Sequence, residues 1–154
     1  MAIITKQNIT KLLSSDAGIA ALSLRLPVGI ILLAHGAQKL FGGFGGDGLE
    51  GTGQWMASIG LEPRLLMALL AGSAEFFGGL ALILGLLARP AAVVAAFTMI
   101  IAIVSVHLEN GLFLSNNGYE FGLALLAAAV SIVFAGAGSL SVDNFISSRL
   151  KASV

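Results

Sequence analysis

Cysteine is absent from this chain, and its absence excludes disulfides, thiolate metal sites, iron–sulfur ligation and cysteine redox relays. Charge is scarce as well. Only 10% of the 154 residues are charged, whereas a soluble domain carries about a quarter. Eight basic residues balance eight acidic ones, so nothing in the electrostatics favours a nucleic-acid partner. There are three prolines, one tryptophan and one tyrosine. What fills the chain instead is apolar, 57% of it.

A bilayer crossing needs about 20 mostly apolar residues. Four stretches meet or approach that length: 17–41, 63–87, 90–107 and 119–135. The reading is all-α: a polytopic membrane four-helix bundle, one domain over residues 1–154, with both termini cytoplasmic. Signal peptides have a shorter apolar core of about 7–15 residues and a cleavage site, so the first stretch reads as a retained helix. Orientation follows the placement of Lys and Arg. Lys6, Lys11, Arg89, Arg149 and Lys151 fall on one side. Lys39 and Arg64 fall on the other, with Asp47, Glu50, Glu62 and Glu109. The glycine-rich first loop and the asparagine-rich third loop then face outward.

Local signals fill in the rest. Residues 1–15 read as a polar lead-in with an amphipathic turn at Ile9, Leu12 and Leu13, and Ser15 or Asp16 as the N-cap of the first span. Pro27 should bend that span and free a carbonyl near Ser23. Pro63 and Pro90 fit first helical turns, with Ala88-Arg89 as a tight turn between the second and third spans. Leu49 to Ile59 reads as an interfacial helix anchored by Trp55 and Met56, and Ser141 to Leu150 as a short amphipathic helix after the stop at Gly136-Ala137-Gly138. Phe41, Phe44, Trp55, Phe113 and Tyr119 form an aromatic belt at the outer boundary. Phe76 and Phe77 read as packing. No internal repeat is present.

Glu75 lies within the second apolar stretch and Arg25 within the first. Charges at such positions are expensive and are kept with a partner or for a function. Counted at about 1.5 Å per residue in a core of about 30 Å, both lie roughly 12 Å from the cytoplasmic face. That match predicts a buried Arg25–Glu75 ion pair, which either locks two helices or lines a cavity. Arg25, Val28, Leu32, His35 and Lys39 share one helical stripe. His107, Glu109 and Glu120 reach a similar level from the third and fourth spans. Imidazole beside carboxylate is proton-relay chemistry, so His35, His107 and Glu120 are the candidate catalytic residues. Lys39, Gln38, Glu109 and Tyr119 are the candidate ligand contacts. A polar or quinone-like ligand is the first reading of this layer, histidines bonded to loop backbone the second, and one haem on His35 and His107 the third. The spacing does not point to a metal site. Gly43-Phe44-Gly45-Gly46-Asp47-Gly48 matches G-x-G-x-x-G, but it follows a membrane helix rather than a strand, so dinucleotide binding is rejected; a GK[ST] P-loop is absent.

Several segments carry a family resemblance. Arg25-Leu26-Pro27-Val28-Gly29 and His35-Gly36-Ala37-Gln38-Lys39-Leu40-Phe41-Gly42 resemble the opening of DoxX family membrane proteins. So do the glycine loop, Gly72-Ser73-Ala74-Glu75-Phe76-Phe77-Gly78-Gly79, His107-Leu108-Glu109-Asn110-Gly111 and Gly118-Tyr119-Glu120-Phe121. The resemblance spans residues 17–143. It implies a four-helix protein of the bacterial inner membrane, either an oxidoreductase or the membrane subunit of a quinone-reducing sulfur-compound oxidase. It also implies a link to thiol or oxidative-stress systems through a soluble or membrane redox partner. Any thiol chemistry would then sit on that partner. The leading expectation is a membrane oxidoreductase component that binds a quinone-like or aromatic redox ligand. The alternatives are a small exporter of a polar or phenolic compound and a membrane scaffold for a redox enzyme. Faces rich in Gly and Ala also fit a homo-oligomer.

Overall fold

The computed structural model describes residues 6–152; residues 1–5, the start of the expected lead-in, and 153–154 lie outside the described residues. The α-helices are α1 (Lys6–Leu13), α2 (Ala20–Phe41), α3 (Gly48–Ser58), α4 (Arg64–Leu84), α5 (Ala88–Ala102), α6 (Glu120–Ala135) and α7 (Val142–Ala152). Three helical stretches, Ala20–Phe41, Arg64–Leu84 and Ala88–Asn110, are long and apolar enough to cross a membrane, and Glu120–Ala135 is apolar but shorter. Their outward faces carry Leu69, Leu70, Phe77, Phe97 and Phe134, all exposed. So large an apolar surface is suited to hydrocarbon rather than water.

α2 and α4 pack antiparallel along glycines. A Cβ on Gly36 would strike the backbone of Phe76, one on Gly79 would lie 2.5 Å from Leu33 N, and one on Gly29 would lie 2.8 Å from Gly79 O. In a medium as apolar as leucine, helices associate through such close approach. These contacts also fix the register: Gly36 faces Phe76, Leu33 faces Gly79 and Gly29 faces Ile83. α5 and α6 complete the core through Ala92, Ala95, Met99, Leu125, Ala129 and Ile132.

One end of the molecule is fastened by helix-end chemistry. α4 closes at Gly85, which has φ 63°. Leu86 N–H donates to Ala81 O at 2.9 Å and Gly85 N–H to Leu82 O at 3.2 Å, a Schellman stop. The last carbonyls of that helix accept from Arg25, whose Nη1 lies 2.8 Å from Leu82 O and 2.7 Å from Ile83 O. Arg25 also donates from Nε to Ala137 O at 2.9 Å and from Nη2 to Leu140 O. Asp143 of α7 caps the start of α5, accepting from Leu87 N at 2.7 Å and Ala88 N at 2.8 Å. Arg89 donates to Val133 O, Leu12 O and Ser14 O and so ties α6 and α1 to α5. Cations at helix C-termini and a carboxylate at an N-terminus are the arrangement that unpaired backbone groups and helix dipoles favour.

The structure corrects several expectations. Neither Ser15 nor Asp16 caps the first span, since α2 begins at Ala20 with Ile19 before it. Ser15 Oγ instead donates to Ala135 O at 2.5 Å and accepts from Gly138 N at 3.0 Å. The turn between α4 and α5 is Gly85 to Leu87 rather than Ala88-Arg89, because Arg89 is already helical. Pro63 precedes α4 instead of joining its first turn, whereas Pro27 lies within α2 as expected. The lead-in forms a helix, not a single turn. Met56 of α3 is buried in the fold rather than anchoring it at an interface, while Trp55 is 43% exposed.

The α2–α4 contact predicts opposite outcomes for two glycines of similar burial. Gly36→Ala should lower unfolding free energy by about 1–3 kcal/mol through overpacking, whereas Gly78→Ala, with nothing within 4 Å of the new methyl, should hold or raise it. Thermal unfolding in one detergent compares them; equal shifts would contradict the close-contact reading.

Candidate functional site

The buried charges pair differently from the sequence expectation. Lys39 Nζ lies 2.6 Å from Glu75 Oε2, with side-chain exposures of 22% and 7%. Arg25 is 1% exposed and satisfied by backbone carbonyls of α4 and of the segment before α7. The register explains the correction: Glu75 lies level with Ala37, twelve residues from Arg25 along α2, or about 18 Å at about 1.5 Å per residue. Lys39 is two residues away, and its four-carbon stem spans the gap. A second ion pair, Arg64 Nη2–Glu50 Oε1 at 2.8 Å, is exposed and joins α4 to α3.

Two part-open chambers flank the Lys39–Glu75 pair. The first, about 140 Å³, is lined by Leu32, His35, Met99, Phe121 and Leu125 among others. The second, about 150 Å³, lies toward α3 and is lined by Trp55, Met56, Ala71, Thr98 and Ser105. Lys39, Glu75, Ala102 and His107 line both. An open cleft of about 350 Å³ lies at the same end, bordered by Gln38, Lys39, Gly45, Gly46, Asp47, Thr52 and Trp55.

Local structure explains how these side chains converge. His35 and Lys39 stand one turn apart on α2, with Leu32 one turn further in. The backbone at Lys39 is held by α3, where Thr52 Oγ1 donates to Lys39 O at 3.3 Å. His107 closes a π-helical turn, Ile103–His107, that follows α5. Such wide turns recur at functional sites because they re-aim side chains. His107 Nδ1 lies 2.8 Å from Asn117 O. A carbonyl only accepts, so Nδ1 carries the hydrogen and Nε2 is left for another partner.

The structure therefore brings His35, Lys39, Glu75 and His107 together. Glu120 does not line either chamber; its Oε1 accepts from Leu114 N at 2.6 Å and holds the loop whose Leu114 does. Gln38 donates to Phe44 O at 3.3 Å and borders the cleft. Glu109 is exposed on a 3₁₀ turn, and Tyr119 precedes α6; neither borders a chamber. Phe76 packs edge-on between Phe41 and Phe77, at 5.2 and 5.3 Å between ring centres. Met99, Ala102, Thr98 and Ser105 were not singled out from the sequence, because small or apolar residues inside an apolar helix give no signal.

Fit limits what the site can hold. Among the described residues no group of three or more His, Asp or Glu side chains is placed to hold a metal ion. Small-molecule pockets start at about 300 Å³, so the chamber shared by His35 and His107 does not accommodate a haem macrocycle. It does suit a single aromatic ring with carbonyl oxygens. The walls are apolar, and the polar groups are an ammonium paired with a carboxylate and two imidazoles.

Fold and site together define a multi-pass helical membrane protein with a buried ion pair between two chambers. Residues 20–108 match the DoxX family model. The chain belongs to the DoxX family. It is 35% identical to "Putative oxidoreductase CatD" of Bacillus subtilis (strain 168), over 83% of this chain and 87% of the relative. It is 30% identical to "Uncharacterized membrane protein Rv3486" of Mycobacterium tuberculosis, over 92% and 90%. It is 28% identical to "Inner membrane protein YphA" of Escherichia coli (strain K12), over 78% and 85%. No solved structure matches.

Removing Lys39 alone strands a buried carboxylate. Lys39→Met should cost about 3–5 kcal/mol, and adding Glu75→Leu should recover most of it. A double-mutant cycle on Lys39 and Glu75 should give strong coupling, and one on Arg25 and Glu75 coupling near zero. The reverse ranking, measured by denaturant unfolding, would restore the Arg25–Glu75 assignment.

Proposed function

We propose that this protein is a component of a membrane oxidoreductase, set as a four-helix bundle in the bacterial inner membrane with both termini cytoplasmic. α6 would make the fourth crossing and α3 would roof the outer end. The relatives named for an oxidoreductase and for the inner membrane support the redox and membrane parts of this reading. The single observation that carries the site is the chamber where Lys39, Glu75, His35 and His107 meet apolar walls. The ligand that fits is a quinone-like or aromatic ring bearing carbonyl or phenolic oxygens.

When bound, such a quinone supplies the ring that accepts electrons. The residues of the chain do the rest. Lys39 and His35 orient the ring by donating to its oxygens. His107, held by Asn117 O, offers Nε2 for taking up or giving a proton. Glu75 keeps Lys39 charged and placed. Leu32, Met99, Phe121 and Leu125 exclude water and strengthen each of these interactions. The electrons would enter through a soluble or membrane redox partner. A role in oxidative-stress defence would come through that partner.

Trp55 is the one tryptophan and borders the second chamber, so it reports on binding. In nanodiscs, a water-soluble substituted benzoquinone should quench its emission saturably. His35→Ala and His107→Ala should each weaken binding about tenfold, the worth of one hydrogen bond. Linear, unsaturable quenching, or unchanged affinity in both folded variants, would overturn the site.

A further inference from the structure

Lys39 is the one residue among the described ones that borders the open cleft and both inner chambers; Glu75 and His107 border the chambers only. We infer that the Lys39–Glu75 ion pair is a gate. A small ligand bearing an anionic or carbonyl oxygen enters through it from the cleft beneath the glycine loop. This rests on the chambers being the ligand site, but not on the ligand being a quinone.

Size gives the first reason. The chambers hold about 140 and about 150 Å³, and the cleft about 350 Å³. Small-molecule sites begin near about 300 Å³, so each chamber takes no more than a single ring while the pair stands between them. Parting the pair joins them into a space of that order. Mobility gives the second. Lys39 is the more exposed partner, and its backbone is pinned by Thr52. The ammonium can therefore swing on a flexible stem while Glu75 stays inside. Charge gives the third. The ammonium meets whatever leaves the cleft, favouring an electronegative oxygen and repelling cations. Asp47 on the cleft rim disfavours multiply charged anions. His35 and His107 are the remaining titratable groups around the pair, and both border the first chamber.

Because the chain lacks cysteine, single-cysteine variants report each compartment without background. Asp47→Cys samples the cleft and Ala102→Cys both chambers. The probes are a sulfonate-bearing aqueous methanethiosulfonate and its trimethylammonium counterpart, applied to protein in nanodiscs. Asp47→Cys should react fast. Ala102→Cys should react about tenfold slower, as expected where passage from the cleft past the ion pair needs a minor open state. The sulfonate should outpace the ammonium there. Glu75→Gln should speed Ala102→Cys and leave Asp47→Cys unchanged. Asp47→Trp, which leaves the ion pair intact, should slow Ala102→Cys, and this arm decides if Glu75→Gln does not fold. Entry is not through the cleft if Ala102→Cys is indifferent to Asp47→Trp, prefers the cation or never reacts. A failed quinone titration with this labelling pattern intact would remove the quinone and keep the gate.

Discussion

The close approach of α2 to α4 governs the rest of the architecture. Glycines at 29, 36 and 79 let the two backbones touch, and a methyl at any of them would meet backbone atoms of the other helix. Once the helices are seated in those notches, sliding is excluded. Register then assigns partners to the charges. Lys39 comes level with Glu75, and Arg25 comes level with the end of α4, where carbonyls without helical partners wait. A contact made without any polar side chain thus determines the electrostatics.

Much of the fold was legible because it depends on local periodicity and composition. The apolar runs located the membrane-length helical stretches to within about three residues, a little more than the one or two by which helix ends ordinarily vary. The glycine stop before α7 and the short helix after the glycine loop were also readable. The pairing of buried charges was not. Depths counted inward from opposite ends of two helices accumulate the uncertainty of both ends. The close contacts between α2 and α4 depend on which glycine meets which backbone, and no helical periodicity encodes that. Arg25 misled for a second reason: a guanidinium has five donors and can be satisfied by neutral carbonyls alone.

The candidate site was half legible. His35, Lys39, Glu75 and His107 stand out as polar groups in apolar sequence, and the fold gathers all four. Glu120 looked equivalent on the same grounds, yet it holds the backbone of Leu114. Sequence reports a carboxylate near a given level but not the direction in which it points. The π-helical turn that brings in His107 has no signature in residue type, so the position of that imidazole could be guessed only as a depth.

The two ends of the molecule differ in how they are held. At one, Arg25, Arg89 and Asp143 knit helix ends and both terminal helices together through hydrogen bonds. At the other, loops and α3 lie over the two chambers. Glycine contacts as far along as Gly36–Phe76 hold α2 and α4 to each other beside the ion pair. Breathing of the chamber end would therefore fall on the loops and α3 rather than on these two helices, and the stiff helical pair would act as the fixed wall against which any lid motion is made.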